Sequence, residues 1–192
     1  MSFTGLWVVM PVPAVLAGEL APVLGPTIEA QAASSPGPKA ATRWWQGGAG
    51  TVDSGDLHDL AAPFLLDDHL DELYEVWGDY EHAGPFLKSA CRRGYPASGL
   101  AWALGPRRFG ALPGWFGNFV LSPDEVCSAL PAVEAALALD TMERTAVEVR
   151  LSRLLEEASD DDTAALLDDL VPVWRRAADT GQSLIGAQVV PG

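Results

Sequence analysis

The clearest hydrophobic pattern of the chain lies at 116–139, where an apolar segment is followed by apolar residues at helical spacing. Ser122 precedes Pro123, and Glu125 stands three residues after the serine. A serine there caps the first turn, the proline loses no helical hydrogen bond, and the glutamate completes a capping box. One face of the predicted helix collects four apolar residues at i, i+4, i+7 and i+11: Val126, Leu130, Val133 and Leu137.

Two further apolar segments, at 3–10 and 183–190, have the β-branched and aromatic composition of buried strands. The first is expected to be buried on both faces, and the two are expected to pair. We therefore predict an α+β fold, in which a small mixed sheet includes both terminal strands and is covered by about five to seven helices. Residues 1–192 are predicted to form a single domain with an irregular loop at about 27–56.

Helical periodicity recurs through the rest of the chain, and charged residues occupy the faces opposite the apolar ones. The predicted helices lie at 13–24, at 56–80 with a break at Pro63, at 85–93, from Asp140 or Thr141 onward, and from 160 to a terminal glycine at Gly181.

Glycine and proline mark the interruptions between these helices. Gly25-Pro26 is expected to end the first helix, and 78–84 is expected to form a polar and aromatic turn. The segment 95–117 is rich in glycine, proline and aromatic residues, which favours short extended segments and turns over a long helix. Pro131 and Pro172 fall inside predicted helices and should kink or divide them.

The chain is strongly acidic, with a formal net charge of −14 and a pI of about 4.4. This charge disfavours general binding to nucleic-acid phosphates or to an anionic membrane surface. The charge is also segregated: 51–87 holds ten acidic side chains and no lysine or arginine, whereas 88–120 holds five basic side chains and no acid. The basic segment could pair with the acidic ones across the fold, or it could line an anion-binding concavity.

Cysteine content and the first residues bear on the compartment. Cys91 and Cys127 are too few for a disulfide scaffold or a zinc site and lack CxxC spacing, so both are expected to be small buried residues in a reducing environment. The apolar N-terminal segment has no basic residue before Lys39 and is interrupted by prolines, which argues against a signal peptide. We therefore predict a cytoplasmic protein.

A cluster at the end of the predicted 56–80 helix is the best candidate for a site, because polar and aromatic groups on such turns often line pockets. A carboxylate beside a histidine could support acid–base chemistry, and nearby arginines could hold a carboxylate or phosphate. The alternative is a capped turn with surface arginines paired to acids. The candidate ligand-binding residues are Trp77, Asp79, Tyr80, His82, Arg92, Arg93, Arg107, Arg108 and Trp115.

Other chemistry-bearing residues give weaker signals. His58 and His69 lie in acidic helical sequence and are interpreted as surface histidines rather than metal ligands. Trp44 and Trp45 are adjacent, so either one of them is an exposed anchor or both pin a folded-back loop. The sequence contains no phosphate-binding glycine loop, and we predict no cofactor and no metal site.

The order of elements resembles the YfbM-like family of small bacterial proteins, whose function is unknown. The resemblance rests on the FVLSPDEV segment at 119–126 and on the AAxxG turn followed by an apolar strand at 177–185. It implies a compact α+β fold and supplies no catalytic residue. The chain departs from the family at Gly78, where the family has a histidine after the tryptophan, and at Pro131 and Pro172.

We predict a protein-interaction module of accessory or immunity type that binds a basic or aromatic-rich protein partner through its acidic face, since the chain is acidic and has no catalytic signature. The alternative is a small-molecule enzyme or ligand-binding protein. Its anionic or aromatic ligand would lie between 77–82 and the arginine-rich segment 88–108. Neither nucleic acid nor membrane is an expected partner, and the protein is expected to be a monomer or a small homo-oligomer.

Overall fold

The structure is a computed structural model that describes residues 3–33, 65–80, 84–155 and 158–191. Four strands form one antiparallel sheet in the order β2-β1-β4-β3. The strands are β1 (Thr4–Val12), β2 (Leu87–Arg92), β3 (Phe119–Leu121) and β4 (Ser183–Val189). Within the described residues there are eight α-helices: α1 (Ala14–Ala33), α2 (Leu70–Tyr80), α3 (Pro96–Leu104), α4 (Pro106–Phe109), α5 (Pro123–Leu137), α6 (Thr141–Leu154), α7 (Asp160–Asp168) and α8 (Leu170–Thr180).

The two terminal strands pair at the centre of the sheet. β1 lies between β2 and β4, with Leu6 opposite Val189 and Val12 opposite Ser183. The predicted α+β fold with a small sheet built on both terminal strands is thus confirmed. Every strand pair is antiparallel, where we predicted a mixed sheet. The helices also exceed the five to seven predicted, because 95–117 and 160–181 each form two.

Both faces of the sheet are covered, because alternate residues of β1 point to opposite sides. On one face α1 and α2 pack over Leu6, Val8 and Met10 of β1. On the other face the remaining helices pack over Trp7 and Val9. β1 is therefore buried on both faces, as its composition predicted.

The capping signals are confirmed in atomic detail. The Glu125 amide donates to Ser122 Oγ at 3.4 Å, and the Ser122 amide donates to Glu125 Oε2 at 2.8 Å. α5 begins at Pro123 and runs without a break through Pro131, which is exposed. Asp140 and Glu143 form a second capping box at the start of α6.

α1 is longer than predicted. It continues past Gly25-Pro26 to Ala33, so the first part of the expected 27–56 loop is helical and the rest, from 34 on, lies outside the described residues. The reason is tertiary packing, which overrides the local cost of two prolines. One stripe of α1 is buried along its whole length: Ala17, Leu20, Leu24, Ile28 and Gln31.

The predicted helix at 85–93 is wrong, because this segment forms β2. Leu87, Ser89 and Cys91 are buried while Lys88 and Arg92 are exposed, which is the two-residue period of an edge strand. The edge is protected where the Ala90 amide donates to Asp162 Oδ1 at 2.8 Å.

The segment 95–117 contains no long helix, as predicted, but its first part is helical rather than extended. Every residue of α3 is buried. A helix with apolar residues on all sides is stable only when the protein core surrounds it. Phe109 at the end of α4 is buried in the same core.

The remaining helix boundaries follow from local chemistry. The predicted 160–181 helix divides at Asp169, and Pro172 lies in the first turn of α8, where its missing amide costs no helical bond. Gly181 ends α8 in the left-handed conformation with φ 64°, and the Gln182 amide donates to the Ala177 carbonyl at 2.9 Å. α2 begins at Leu70, and the predicted break at Pro63 lies outside the described residues.

Cys91 is buried as expected, but Cys127 is exposed, because it lies on the side of α5 that faces away from Val126 and Val133. In the described ranges no helix combines the length and apolar character needed to cross a bilayer.

Candidate functional site

Trp77 lies on the α2 side of the sheet. Its ring packs in an apolar environment that includes Leu6, Val8 and Tyr74, and Lys88 Nζ lies 5.2 Å from the ring centroid. This is a cation–π contact between a predicted site residue and the first residue of the basic segment. The indole Nε1 is buried and has no hydrogen-bond partner in the described part of the chain.

Asp79 and Tyr80 belong to the last turn of α2, so the predicted 78–84 turn begins later than expected. Asp79 is exposed, whereas Tyr80 is half-buried against Pro11 and Pro85. His82, like Trp44, Trp45 and His58, lies outside the described residues.

Arg92 and Arg93 lie at the opposite end of β2 from Tyr80. Arg92 pairs with Thr4 at the start of β1, whereas Pro85, beside Tyr80, precedes β2. A strand of this length spans roughly 17–20 Å. These two arginines are therefore separated from Tyr80 by the length of the strand.

Arg108 holds two helices together on the other face of the sheet. Its Nη1 donates to the carbonyls of Ala135, Ala136 and Ala138 at 3.1–3.4 Å, where α5 ends. Its Nη2 donates to Glu143 Oε1 at 2.7 Å, and this hydrogen bond holds the pKa of Glu143 below its usual value. Arg108 thus has a structural role where α5 ends and α6 begins.

The two remaining predicted site residues also lie on the side of the sheet opposite α2 or at its rim. Arg107 is exposed beside Arg108 on α4. Trp115 is half-buried, with its ring edge-on to Phe116 at 5.1 Å. The predicted residues within the described ranges are thus distributed over separate locations and share no single concavity.

Sequence reasoning missed a buried polar network that crosses the sheet. Asn118 Nδ2 donates to Gln31 Oε1 at 3.2 Å, and the Gln188 amide donates to Asn118 Oδ1 at 2.7 Å. The Gln188 side chain then bonds Ser98, accepting from its amide at 3.0 Å and donating to its Oγ at 2.9 Å. These four side chains are all buried and link α1, α3, β4 and the residue before β3.

A cleft of about 280 Å³ opens where β1 ends and β4 begins. We call it the Tyr80 cleft. Thr180 Oγ1 lies 2.7 Å from the Arg176 carbonyl and 2.9 Å from the Gln182 carboxamide, which fixes two of its polar groups. Of the predicted site residues that the structure describes, only Tyr80 lines it. The lining side chains are Pro11, Tyr80, Pro85, Arg176, Thr180 and Gln182.

Four exposed carboxylates follow one another along α2 and the 3-10 turn before it, at i, i+3, i+7 and i+11. We call them the α2 acidic stripe: Asp68, Asp71, Glu75 and Asp79. No residue of the stripe takes part in an ion pair with another described residue; the ion pairs seen there join Arg108, Arg144 and Arg175 to other carboxylates.

His69 lies beside the α2 acidic stripe, but its Nε2 is 3.1 Å from Thr27 Oγ1 and is engaged with α1. Across the described residues there is no grouping of three or more histidine, cysteine, aspartate or glutamate side chains that could hold a metal ion. We therefore describe the α2 acidic stripe as a charged surface.

Comparison with known proteins adds no relative. No protein-family model matches the chain, and neither the curated proteins nor the solved structures contain a match. The resemblance to the YfbM-like family stays a prediction.

Proposed function

We propose that this protein is an interaction module of accessory or immunity type, and that it binds a basic protein partner through the α2 acidic stripe. One observation carries the proposal. The stripe is a row of exposed, unpaired carboxylates on a helix whose other face is fixed to the sheet by Leu73 and Val76.

The charge arrangement favours a partner. Asp71 and Glu75, and Glu75 and Asp79, are like-charge pairs at i, i+4, and each such pair destabilises a helix by about 0.2–0.5 kcal/mol. The arginines at 108, 144 and 175 neutralise carboxylates on other helices instead. A lysine- or arginine-rich surface docked on the stripe would turn this repulsion into attraction, which increases the association rate and the specificity.

The shape of the surface also supports docking over chemistry. The stripe lies on the convex, solvent-facing side of a helix, whereas catalytic groups are normally enclosed in a concave site that excludes water. We therefore interpret the carboxylates as binding groups.

The test uses a lysine-rich helical peptide as a probe, with fluorescence anisotropy at low and moderate salt. The variant D71N/E75Q/D79N neutralises most of the stripe. The matched control, E19Q/E29Q/D124N, removes the same charge from exposed carboxylates on α1 and α5. We expect binding that weakens with salt, is lost in the stripe variant and is largely kept in the control.

Two outcomes would refute the proposal. Equal losses in the stripe variant and the control would show that only net charge matters. Binding of the native protein that does not change with salt would show that the carboxylates are not the contact.

A further inference from the structure

We infer that the Tyr80 cleft binds a small organic carboxylate, which Arg176 holds through its guanidinium group. The inference does not rest on the proposed function, because the cleft would bind an anion through Arg176 of α8, whereas the α2 acidic stripe would bind a cationic surface. It rests on an unpaired cation, a fixed set of polar groups and rigid walls.

Among the described residues that line the cleft, Arg176 is the only one with a cationic side chain. Its guanidinium makes no ion pair with another described residue, whereas the adjacent Arg175 donates to Glu134 Oε1 at 2.6 Å. The planar guanidinium matches a carboxylate with two parallel hydrogen bonds.

The end of α8 supplies further polar groups and little opposing charge. Thr180 and Gln182 are held in place by their mutual contact and by the left-handed turn at Gly181. The helix C-terminus would normally repel an anion. Here the amides of Gly181 and Gln182 already bond the carbonyls of Ala178 and Ala177, which reduces that repulsion.

Two described carboxylates, Asp79 and Asp179, directly precede the lining residues Tyr80 and Thr180 in sequence. Both are exposed, so solvent and salt screen their repulsion of a bound anion. Neither forms an ion pair with Arg176, so its guanidinium group can bind the ligand.

The walls of the cleft fit a compact body. The Tyr80 ring forms one side, and Pro11 and Pro85, whose rings restrict the backbone, form rigid sides. A volume of about 280 Å³ lies at the lower end of the range for ligand sites, which selects a small molecule such as an aromatic or short aliphatic acid.

The experiment is a titration of the whole protein with benzoate, followed by amide proton–nitrogen NMR. We expect saturable shifts centred on Gly84, Thr180, Gly181 and Gln182. Arg176→Gln should weaken binding at least tenfold. Arg176→Lys keeps the charge but loses the two parallel hydrogen bonds of the planar guanidinium, and it should weaken binding less. Arg153→Gln, an exposed arginine on α6 away from the cleft, is the charge-matched control and should leave binding unchanged.

Benzamide and inorganic phosphate complete the test. Benzamide has nearly the same shape without the charge and should bind far more weakly than benzoate. The inference is overturned if R176Q and R153Q reduce benzoate binding equally, if the shifts do not saturate, if benzamide binds as well as benzoate, or if phosphate binds these amides more tightly than benzoate does. The amide spectrum of each variant shows directly whether it has kept the native fold.

Discussion

At the scale of single residues, the least expected feature is the network of Gln31, Ser98, Asn118 and Gln188. Gln188 is fully buried in a mainly apolar strand, and it bonds residues from two other parts of the chain. Buried polar groups are tolerated only when they are hydrogen-bonded, and a satisfied network favours one arrangement of the layers over others. We infer that this network fixes how α1 and α3 are placed on opposite faces of the sheet.

The network predicts a large effect for Asn118→Leu. Leucine has a similar branched shape, but it would remove the acceptor of the Gln188 amide and the donor to Gln31 Oε1. Each unsatisfied buried group costs about 1–3 kcal/mol, so the free energy of unfolding should fall by about 2–4 kcal/mol. Urea denaturation measures it.

Thr145→Ala is the control, because that exposed hydroxyl bonds only the Thr141 carbonyl of its own helix. Its effect should stay within about 0.5 kcal/mol. If N118L were no more destabilising than T145A, the network would not contribute to stability.

At the scale of elements, the sequence predicts those whose signals are local. The capping boxes at Ser122 and Asp140 identify α5 and α6, because each needs only residues three apart. The strand β2 was mistaken for a helix, since six residues are too few to separate a period of 2 from one of 3.6. The sequence predicts that the first helix ends at Gly25-Pro26, whereas α1 continues to Ala33. Its burial on the sheet explains the difference, and local sequence does not report that burial.

The joint between α5 and α6 depends on a residue that we had assigned to a ligand site. Arg108→Met should destabilise the fold by about 1–2 kcal/mol, because it removes the hydrogen bonds to the last carbonyls of α5. Arg107→Met is the matched control: the side chain is adjacent and exposed, and it forms no ion pair with another described residue. Urea denaturation should show a clear loss for R108M and almost none for R107M. Equal losses would contradict the structural role of Arg108.

At the scale of the whole molecule, the sequence was sufficient for the fold class and insufficient for the site. Terminal strands of strong β character and amphipathic helices between them define a sheet with covered faces. The prediction of the site required knowing which residues distant in sequence come together in space. The periodicity of apolar residues carries no information about that. Tyr80 lines the same cleft as Arg176, an arginine that the sequence did not single out. Arg108 instead bonds Glu143 on the opposite face of the sheet.

The net charge of −14 makes a prediction for the molecule as a whole. Unpaired carboxylates repel one another at low ionic strength, so added sodium chloride should raise the stability by screening them. Glu75→Gln removes both i, i+4 repulsions of the α2 acidic stripe, and it should stabilise the protein by about 0.4–1 kcal/mol at low salt. This gain should shrink as salt is added.

Glu134→Gln makes the same change of charge at a carboxylate that is paired with Arg175, and it is the matched control. It should give no stabilisation at low salt, because it breaks an attraction instead of a repulsion. Urea midpoints of the native protein and both variants across a salt series distinguish the two cases. A stabilisation that is equal in E75Q and E134Q would mean that the folded protein responds only to its total charge. The stripe would then have no special electrostatic cost for a basic partner to relieve.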